Sequence, residues 1–232
     1  MSDALHHLPS REIDARQGRP APCSFEVDLR DHCDTPAGVP YLRPFSRNRN
    51  WKTASVFIIG DNPSTPLRNE FDDFDDYWTA LTQNIEKFDD AYKSKRLDGK
   101  ATRTTLNTKK LSNLIGPEHC LVTNTCWVPT PESDTISAPE RRRDQAQLKK
   151  LIGFCRPKVL FVYGSKAIEF ANKAYNLTLD PYVPPAEQDY TAEGMRVFAF
   201  PHLSGLGIKA GKTFQPDTDL PVFAQRIKNC LS

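Results

Sequence analysis

The sequence predicts an α/β fold with three layers, α/β/α, around a central, mainly parallel sheet of four strands. Four short runs of β-branched and aromatic residues predict these strands, at residues 56–59, 120–122, 159–163 and 197–200. Stretches with the three-to-four-residue apolar spacing of helices lie between the runs. Alternating strands and helices are typical of a parallel sheet that helices cover on both faces.

The rest of the chain is predicted to surround this sheet. Residues 1–50 carry Pro, Arg, Asp and His without sustained periodicity, so we expect an irregular N-terminal arm that packs on an α/β domain at residues 51–232. The expected helices lie at residues 77–92, 108–115, 139–154, 166–175 and 220–231. The Pro-rich residues 176–195 are expected to form a loop. A chain of 232 residues is long enough for one domain with a full core.

Composition and charge narrow the class of protein. The net charge of +2 implies no global positive field, and two basic stretches, at residues 87–110 and 141–158, either neutralise phosphates or form solvated helix faces. The six cysteines form no CxxC pair and no zinc-like spacing with histidine, so we expect reduced thiols and no metal site. With no secretory signal and no apolar run of membrane length, we expect no membrane partner and a cytoplasmic location (bacterial-type cytosol or nucleoid), or the nucleus of a eukaryote.

Three polar segments follow predicted strands directly, and we call them the first, second and third edge segments. They are residues 60–64 (Gly-Asp-Asn-Pro-Ser), 123–125 (Thr-Asn-Thr) and 201–206 (Pro-His-Leu-Ser-Gly-Leu). Because the carboxyl ends of parallel strands meet at one edge of a sheet, these segments are expected to converge on a single site. An edge with an Asp, two Asn, a His and two Ser suits polar recognition of a planar heterocycle and help for a leaving anion.

The edge segments resemble the motifs of the uracil-DNA glycosylase superfamily, in the same order along residues 56–206. In the first motif of that family, a Gly, a variable residue, a catalytic polar residue and a Pro follow the first strand. Asn62 takes the place before the Pro and Asp61 takes the preceding place, so the resemblance leaves both as candidates. Asn124 matches the family's Asn that forms two hydrogen bonds with the uracil edge.

The third edge segment is similar to the last motif of the family, usually His-Pro-Ser followed by a short loop. The resemblance implies that His202 is catalytic and that the apolar loop residue, Leu206, wedges into the DNA stack. Leu203 stands where the family usually has Pro. The residues implied to contact DNA are Ser64, Ser204, Gly205 and Leu206.

The resemblance also implies an aromatic residue that stacks on the flipped base, an interaction worth about 1–3 kcal/mol. The family's spacing from the first motif favours Phe74, with Phe71 and Tyr77 as rivals. Residues 126–129 look like the short tail seen in the iron–sulfur branches, but the cysteine pattern of those branches is missing. We therefore expect no cluster and no other cofactor.

The resemblance implies a monofunctional DNA glycosylase, monomeric, that flips uracil out of DNA and hydrolyses its bond to deoxyribose. Asp61 or Asn62 could position a water, an ionised Asp could stabilise a positively charged sugar, and neutral His202 could donate a hydrogen bond to the anionic base. Asn124 offers a donor and an acceptor together, which matches N3–H and O4 of uracil and opposes the pattern of cytosine. The alternatives are a non-hydrolytic DNA- or base-binding member of this fold and a nucleotide-binding α/β protein with unrelated chemistry.

Overall fold

The fold is organised around a sheet of five strands. The computed structural model describes residues 13–14, 19–20, 23–46, 48–95, 101–205 and 215–232. Two short strands, β1 (Ile13–Asp14) and β2 (Arg19–Pro20), pair antiparallel with each other. The sheet itself contains β3 (Val56–Gly60), β4 (Cys120–Asn124), β5 (Val159–Tyr163), β6 (Tyr190–Ala192) and β7 (Met195–Phe200). Its order is β4-β3-β5-β7-β6, and all neighbours are parallel except β6 and β7.

The fifth strand lies inside the segment that was expected to form a loop. β6 reaches β7 through the turn Glu193-Gly194, where both residues have positive φ, 49° and 81°. That turn geometry matches the twist of an antiparallel hairpin. Three residues with one buried side chain are too short a run to predict a strand. All four predicted strands are present, so the α/β class and the mainly parallel sheet are confirmed, with one strand more than expected.

Seven α-helices in the described residues cover the two faces of the sheet. They are α1 (Ser24–Cys33), α2 (Phe74–Thr82), α3 (Ile85–Ser94), α4 (Arg103–Ile115), α5 (Ala138–Cys155), α6 (Ser165–Tyr175) and α7 (Pro216–Asn229). Alternate strand residues point to opposite faces: Phe57 and Ile59 pack with α1, α2, α3, α5 and α6, whereas Val56 and Ile58 pack with α4 and α7. Three layers result, as predicted. None of the helices in the described part of the chain has the length and apolar character needed to cross a membrane.

Capping residues explain two differences from the predicted helices, and α7 also begins earlier than expected, at Pro216 rather than at residue 220. The helix expected at residues 77–92 is divided, since the Asn84 side chain accepts a hydrogen bond from the N–H of Lys87 and so caps the start of α3. α4 begins at Arg103 rather than at residue 108, because the Thr102 side chain caps its first turn. The longer α4 brings an additional helical turn to the part of the molecule that carries the candidate site.

The N-terminal arm contains helix α1 where irregular chain was expected. Leu29 and Cys33, four residues apart, are fully buried and attach this helix to the core. Residues 43–46 then run along the free side of β4, where the N–H of Ser46 donates to the carbonyl of Val122 at 2.7 Å. The arm thereby covers an edge strand whose backbone groups would otherwise lack partners.

Candidate active site

The three edge segments leave the sheet at the same edge. Gly60, at the end of β3, is the register partner of Asn124 at the end of β4. Tyr163, at the end of β5, is the register partner of Phe200 at the end of β7. Because β3 and β5 are also parallel neighbours, the carboxyl ends of these four strands are level. The first, second and third edge segments therefore start side by side.

The Asp61 carboxylate is partly buried and pairs with an arginine of α5. Its Oδ1 accepts a hydrogen bond from Nη1 of Arg141 at 2.6 Å, while Nη2 of Arg141 donates to the carbonyl of Ser133, also at 2.6 Å. The carbonyl of Asp61 accepts from the N–H of Cys126 at 2.9 Å and from the hydroxyl of Thr125 at 3.2 Å. Backbone and side chain are both held, so the carboxylate has a defined position at the edge.

The amide of Asn62 is engaged with the backbone of its own turn. Its Nδ2 donates to the carbonyl of Thr130 at 2.7 Å and to that of Pro63 at 3.1 Å. The N–H of Thr130 donates back to the carbonyl of Pro63 at 2.9 Å. These bonds tie the first edge segment to the chain that follows the second one. Ser64, the last residue of the first edge segment, is exposed.

Gly60 and Asn124 lie against the hydroxyl of Tyr163, a buried side chain. A Cβ at Gly60 would lie 2.5 Å from Oη of Tyr163 and 3.0 Å from Oδ1 of Asn124, so the three groups meet at one point where only glycine fits. Burial, with a smaller effect of the Asp61 carboxylate in the same direction, raises the pKa of Tyr163 to about 12. The hydroxyl therefore stays protonated. Its ring lies edge-on to that of His202, with centroids 5.9 Å apart.

His202 is held in a defined tautomer by Ser204. The N–H of Ser204 donates to Nδ1 of His202 at 3.1 Å, and the Ser204 hydroxyl lies 2.6 Å from the same nitrogen. A backbone N–H can only donate, so Nδ1 is the acceptor and we assign the proton of the neutral ring to Nε2. Burial lowers the pKa of His202, and the nearby Asp61 carboxylate acts in the opposite direction without reversing the shift. The neutral ring with an Nε2–H donor is therefore favoured at pH 7.

The rest of the third edge segment is held by α4 and by a glycine turn. Leu203 is fully buried, and its carbonyl accepts a hydrogen bond from Nδ2 of Asn107 at 2.7 Å. Burial of the leucine and this bond fix the position where the family usually has proline. Gly205 has a φ of 85°, and its N–H donates to the carbonyl of His202 at 3.0 Å. Leu206, the expected wedge, lies outside the described residues.

The three aromatic residues expected to stack on a base lie in the core instead. Phe74, Phe71 and Tyr77 are 8%, 7% and 1% exposed. Tyr77 donates its hydroxyl to the carbonyl of Leu42 at 3.0 Å, and the ring of Phe74 packs on that of Tyr41 with centroids 5.2 Å apart. Phe71 and Phe74 also pack on Tyr77 itself, at 5.3 Å and 5.9 Å. Tyr77 is thus almost fully enclosed, with its hydroxyl bonded to the arm, and the rings of Phe71 and Phe74 pack against neighbouring rings.

Three side chains at this edge were not identified from the sequence: Arg141, Tyr163 and Asn107. Tyr163 could have been identified, since it is the last residue of a predicted strand and so had to lie at the carboxyl edge. Arg141 belongs to a recognised basic stretch, but nothing in the sequence pairs it with Asp61. Asn107 precedes the predicted start of its helix and carries no motif.

A shallow depression beside α3 lies apart from the edge segments and offers no alternative candidate site. It is lined by Glu70, Asn84, Lys87, Asp90, Ala91 and Ser94, none of which belongs to an edge segment. Glu70 pairs with Lys95 at 2.8 Å, and Lys87 pairs with Asp76 at 2.6 Å. Within the described residues, no group of three His, Cys, Asp or Glu side chains is arranged to hold a metal ion.

Comparison with known proteins adds no assignment to this geometry. The sequence matches no protein-family model and no curated protein. A functional hypothesis for the chain therefore depends on the residues at the sheet edge and on their chemistry.

Proposed function

We propose that the chain is a monofunctional DNA glycosylase that hydrolyses the N-glycosidic bond of uracil in DNA. The observation that supports this most is that the strand ends preceding Asp61, Asn124 and His202 are level at one edge of the sheet. Asp61 suits stabilisation of a cationic sugar, Asn124 suits recognition of a pyrimidine edge, and His202 suits donation of a hydrogen bond to a departing anion. No single one of these groups would suggest the reaction.

In the proposed reaction the bond between C1′ and the base nitrogen breaks first. The electron pair leaves with uracil as an anion, and the sugar becomes oxocarbenium-like. Nε2–H of His202 donates a hydrogen bond to the anionic base oxygen, and a preorganised donor of this kind is worth roughly 3–4 kcal/mol. A water then bonds to C1′ and gives up one proton to Asp61 or to solvent, while the released base takes up a proton from solvent.

We assign the water and the sugar cation to Asp61 rather than to Asn62. The amide of Asn62 already donates to the carbonyls of Pro63 and Thr130, which occupies its hydrogens in holding the turn. Asp61 has a carboxylate at the same edge, within electrostatic range of His202. Arg141 orients that carboxylate, and the ion pair uses Oδ1 of Asp61.

Asn124 is the proposed reader of the base. Its side chain lies beside the Tyr163 hydroxyl above Gly60, at the end of an edge strand that the arm braces. A site built to hydrogen-bond N3–H and O4 leaves its own polar groups unpaired when cytosine enters, a mismatch that can lower activity by about 10⁴–10⁵-fold.

Uracil-containing DNA is the proposed partner, and the protein would act as a monomer in the compartment that holds the DNA. Exposed basic residues lie close to the edge. Arg142 follows the arginine that binds Asp61, and Lys166 is the second residue of α6, which begins directly after β5. With Ser64, Ser204 and Gly205 they form the proposed contacts to phosphates.

The proposal is tested by incubating the purified protein with an end-labelled oligonucleotide that contains one uracil, then cleaving abasic sites with alkali. We expect cleavage at the uracil, none with thymine or cytosine at that position, and loss of at least about 100-fold in single-turnover rate for Asp61→Asn. Lack of cleavage by the wild-type protein on both single- and double-stranded uracil substrates would contradict the proposal.

One observation favours a second candidate, a non-hydrolytic protein that binds DNA or a base. Arg141 approaches Asp61 at 2.6 Å and so restrains the carboxylate that the hydrolytic mechanism uses. If the second candidate is correct, we expect the wild-type protein to bind uracil-containing DNA in a salt-sensitive way without cleaving it. The Arg141→Gln variant should then also fail to cleave this DNA. For the glycosylase, cleavage is measurable in the wild-type protein.

A further inference from the structure

Asp144 of α5 is a fully buried carboxylate with four hydrogen-bond partners. Its Oδ2 accepts from the N–H of Trp127 at 2.8 Å and from Sγ of Cys126 at 3.3 Å. Its Oδ1 accepts from Nε of Arg143 at 2.9 Å and lies 3.2 Å from Nε2 of His32 on α1. The partners come from the arm, from the chain after β4 and from α5 itself, so this one side chain joins three parts of the molecule.

The partners keep Asp144 charged in a position that would otherwise favour the neutral acid. Burial alone would raise its pKa, but the hydrogen bonds from His32, the N–H of Trp127 and Arg143 outweigh it and leave the pKa below its usual range. A charged acceptor makes shorter and stronger hydrogen bonds than a neutral one. Residues 126–127 are therefore held by hydrogen bonds to a charged carboxylate, which are stronger than hydrogen bonds to a neutral acceptor.

The anchored residues lead directly to the proposed site. Nε1 of Trp127 donates to the carbonyl of Asn124 at 3.0 Å. The N–H of Cys126 donates to the carbonyl of Asp61 at 2.9 Å. Asp144 thus holds the two residues that hold Asn124 and Asp61, although none of its own four hydrogen bonds reaches either of them.

We propose that Asp144 is a positioning residue for the base-reading site, acting on Asn124 through the indole of Trp127 and on Asp61 through the backbone of Cys126. This inference rests on the proposed function for its effect on catalysis, but its structural part concerns only the order of Asn124 and Trp127. The isosteric substitution Asp144→Asn removes the charge and presents an amide N–H₂ to groups that are themselves donors. The segment at residues 126–127 would then lose its anchor while the core of the sheet stays packed.

The experiment compares Asp144→Asn with Leu148→Val, a control on the next turn of the same helix. Leu148 is fully buried in the same hydrophobic cluster as Trp127, but its side chain has no hydrogen-bonding group, so this variant reports the effect of lost packing alone. The first measurement is hydrogen exchange at the Trp127 indole N–H by NMR, with its signal assigned from Trp127→Phe. We expect exchange about tenfold faster or more in Asp144→Asn and unchanged in Leu148→Val. Equal exchange in the two variants would overturn the inference.

The second measurement is the single-turnover rate of uracil release together with affinity for abasic-site DNA. Asp144→Asn should lower the rate by about 10- to 100-fold, the loss typical of a small misplacement, and leave abasic-site affinity unchanged because that DNA has no base for Asn124 to hold. A loss no larger than in Leu148→Val, or an equal loss of abasic-site affinity, would contradict positioning.

Trp127→Phe provides a second route if Asp144→Asn folds poorly. It removes the indole N–H that donates to Asn124 and keeps an aromatic ring, so it should lower the rate in the same range. Where both variants fold, the double variant should lose no more than the worse single variant, because the two act in series. Additive losses would contradict that coupling. If the wild-type protein releases no uracil, the proposed function fails, while faster indole exchange in Asp144→Asn still supports the structural part.

Discussion

The first two edge segments and the third are held in different ways. Asp61, Asn62 and Asn124, which we call the reading half, are fixed by hydrogen bonds to the backbone at residues 125–130 and through it to buried Asp144. Residues 202–205, the histidine half, are fixed by burial of one leucine, by one side chain of α4 and by bonds within the segment.

This difference indicates how the two halves would share the work. In the proposed reaction, the reading half would have to discriminate between bases whose edges differ in the direction of two hydrogen bonds. Its geometry would then have to be the same before and after binding. The histidine half would only have to bring one donor to a developing charge. Substitutions in the two halves should therefore fail differently.

The largest effect is expected from His202→Ala. Removing the Nε2–H donor should lower the single-turnover rate by about 10²–10³-fold, because that donor would act mainly on charge that develops in the transition state. Affinity for uracil-containing DNA should change little. The measurement is single-turnover cleavage with a parallel binding titration.

His119→Ala is the matched control for this substitution. His119 is exposed and immediately precedes β4, at the opposite edge of the sheet. The His119→Ala variant should retain the wild-type rate of single-turnover cleavage. An unchanged rate in His202→Ala would remove His202 from the mechanism.

Gly60→Ala should have the next largest effect, and on stability as well as activity. The new Cβ would lie 2.5 Å from Oη and 2.7 Å from Cζ of buried Tyr163, so the ring or the strand must move. Overpacking of this kind costs about 1–3 kcal/mol of unfolding free energy. Denaturant unfolding measures it, and displacement of Asn124 should lower the rate as well.

Gly153→Ala tests whether the loss comes from this close approach. Gly153 lies within α5, and apart from the adjacent backbone of that helix no described atom lies within 4 Å of the position of its missing Cβ. Alanine there should stabilise the protein by about 0.5–1 kcal/mol through helix propensity. Similar changes in the two variants would contradict a tight meeting point at Gly60.

The sequence predicted where the candidate site residues lie in the sheet, but it did not predict what holds them there. Asp61, Asn124 and His202 each lie two residues after the end of a predicted strand, and the parallel register places the ends of these strands at one edge. Periodicity and position along the chain were enough for that part. They also gave the layers, because the runs of β3 and β5 are buried on both faces.

The supports of the site depend on contacts between distant residues, which the sequence does not encode locally. Arg141 and Asp61 are 80 positions apart, and Asn107 and Leu203 are 96 apart. Asp144 is a charged residue in a charged helix, and nothing in its surroundings in the sequence indicates that it is fully buried. For Phe74, spacing from the first motif suggested a contact with the flipped base. In the structure Phe74 packs on Tyr41 and Trp78 in the core.

Asn107→Ala tests the side chain of α4 that binds the histidine half. It leaves the buried carbonyl of Leu203 without its donor, which costs about 1–2 kcal/mol. We expect a rate reduction of about tenfold from displacement of His202, measured by single-turnover cleavage. Leu106→Ala, at the exposed neighbouring position, should change neither the rate nor the stability. A full wild-type rate in Asn107→Ala would show that burial of Leu203 and the bonds within the segment position it without Asn107.

Asn62→Ala tests the assignment within the reading half. Loss of the bond from Nδ2 to the carbonyl of Thr130 should cost about 1 kcal/mol of unfolding free energy and lower the rate only a few-fold, since Asp61 keeps its place. Asn113→Ala, an exposed asparagine of α4, should cost nothing. A loss in Asn62→Ala as large as that in Asp61→Asn would transfer the catalytic role to Asn62.

The smallest effect is expected in the pH dependence of stability. Because the pKa of His202 is lowered in the folded protein, the unfolded chain binds the histidine proton first as pH falls. The contribution of this group to unfolding free energy is therefore complete above the ordinary histidine pKa and is lost as pH falls through that value towards the folded one. Protonation of Nδ1 would also remove the acceptor for the N–H of Ser204.

His202→Gln should flatten the slope of unfolding free energy against pH in this window, whereas His119→Gln should not. Denaturant unfolding at several pH values measures the difference. An identical slope in wild type and His202→Gln would mean that the ring is less shielded from solvent than its neighbours suggest, and the histidine half would then be looser than the hydrogen bond from Asn107 implies.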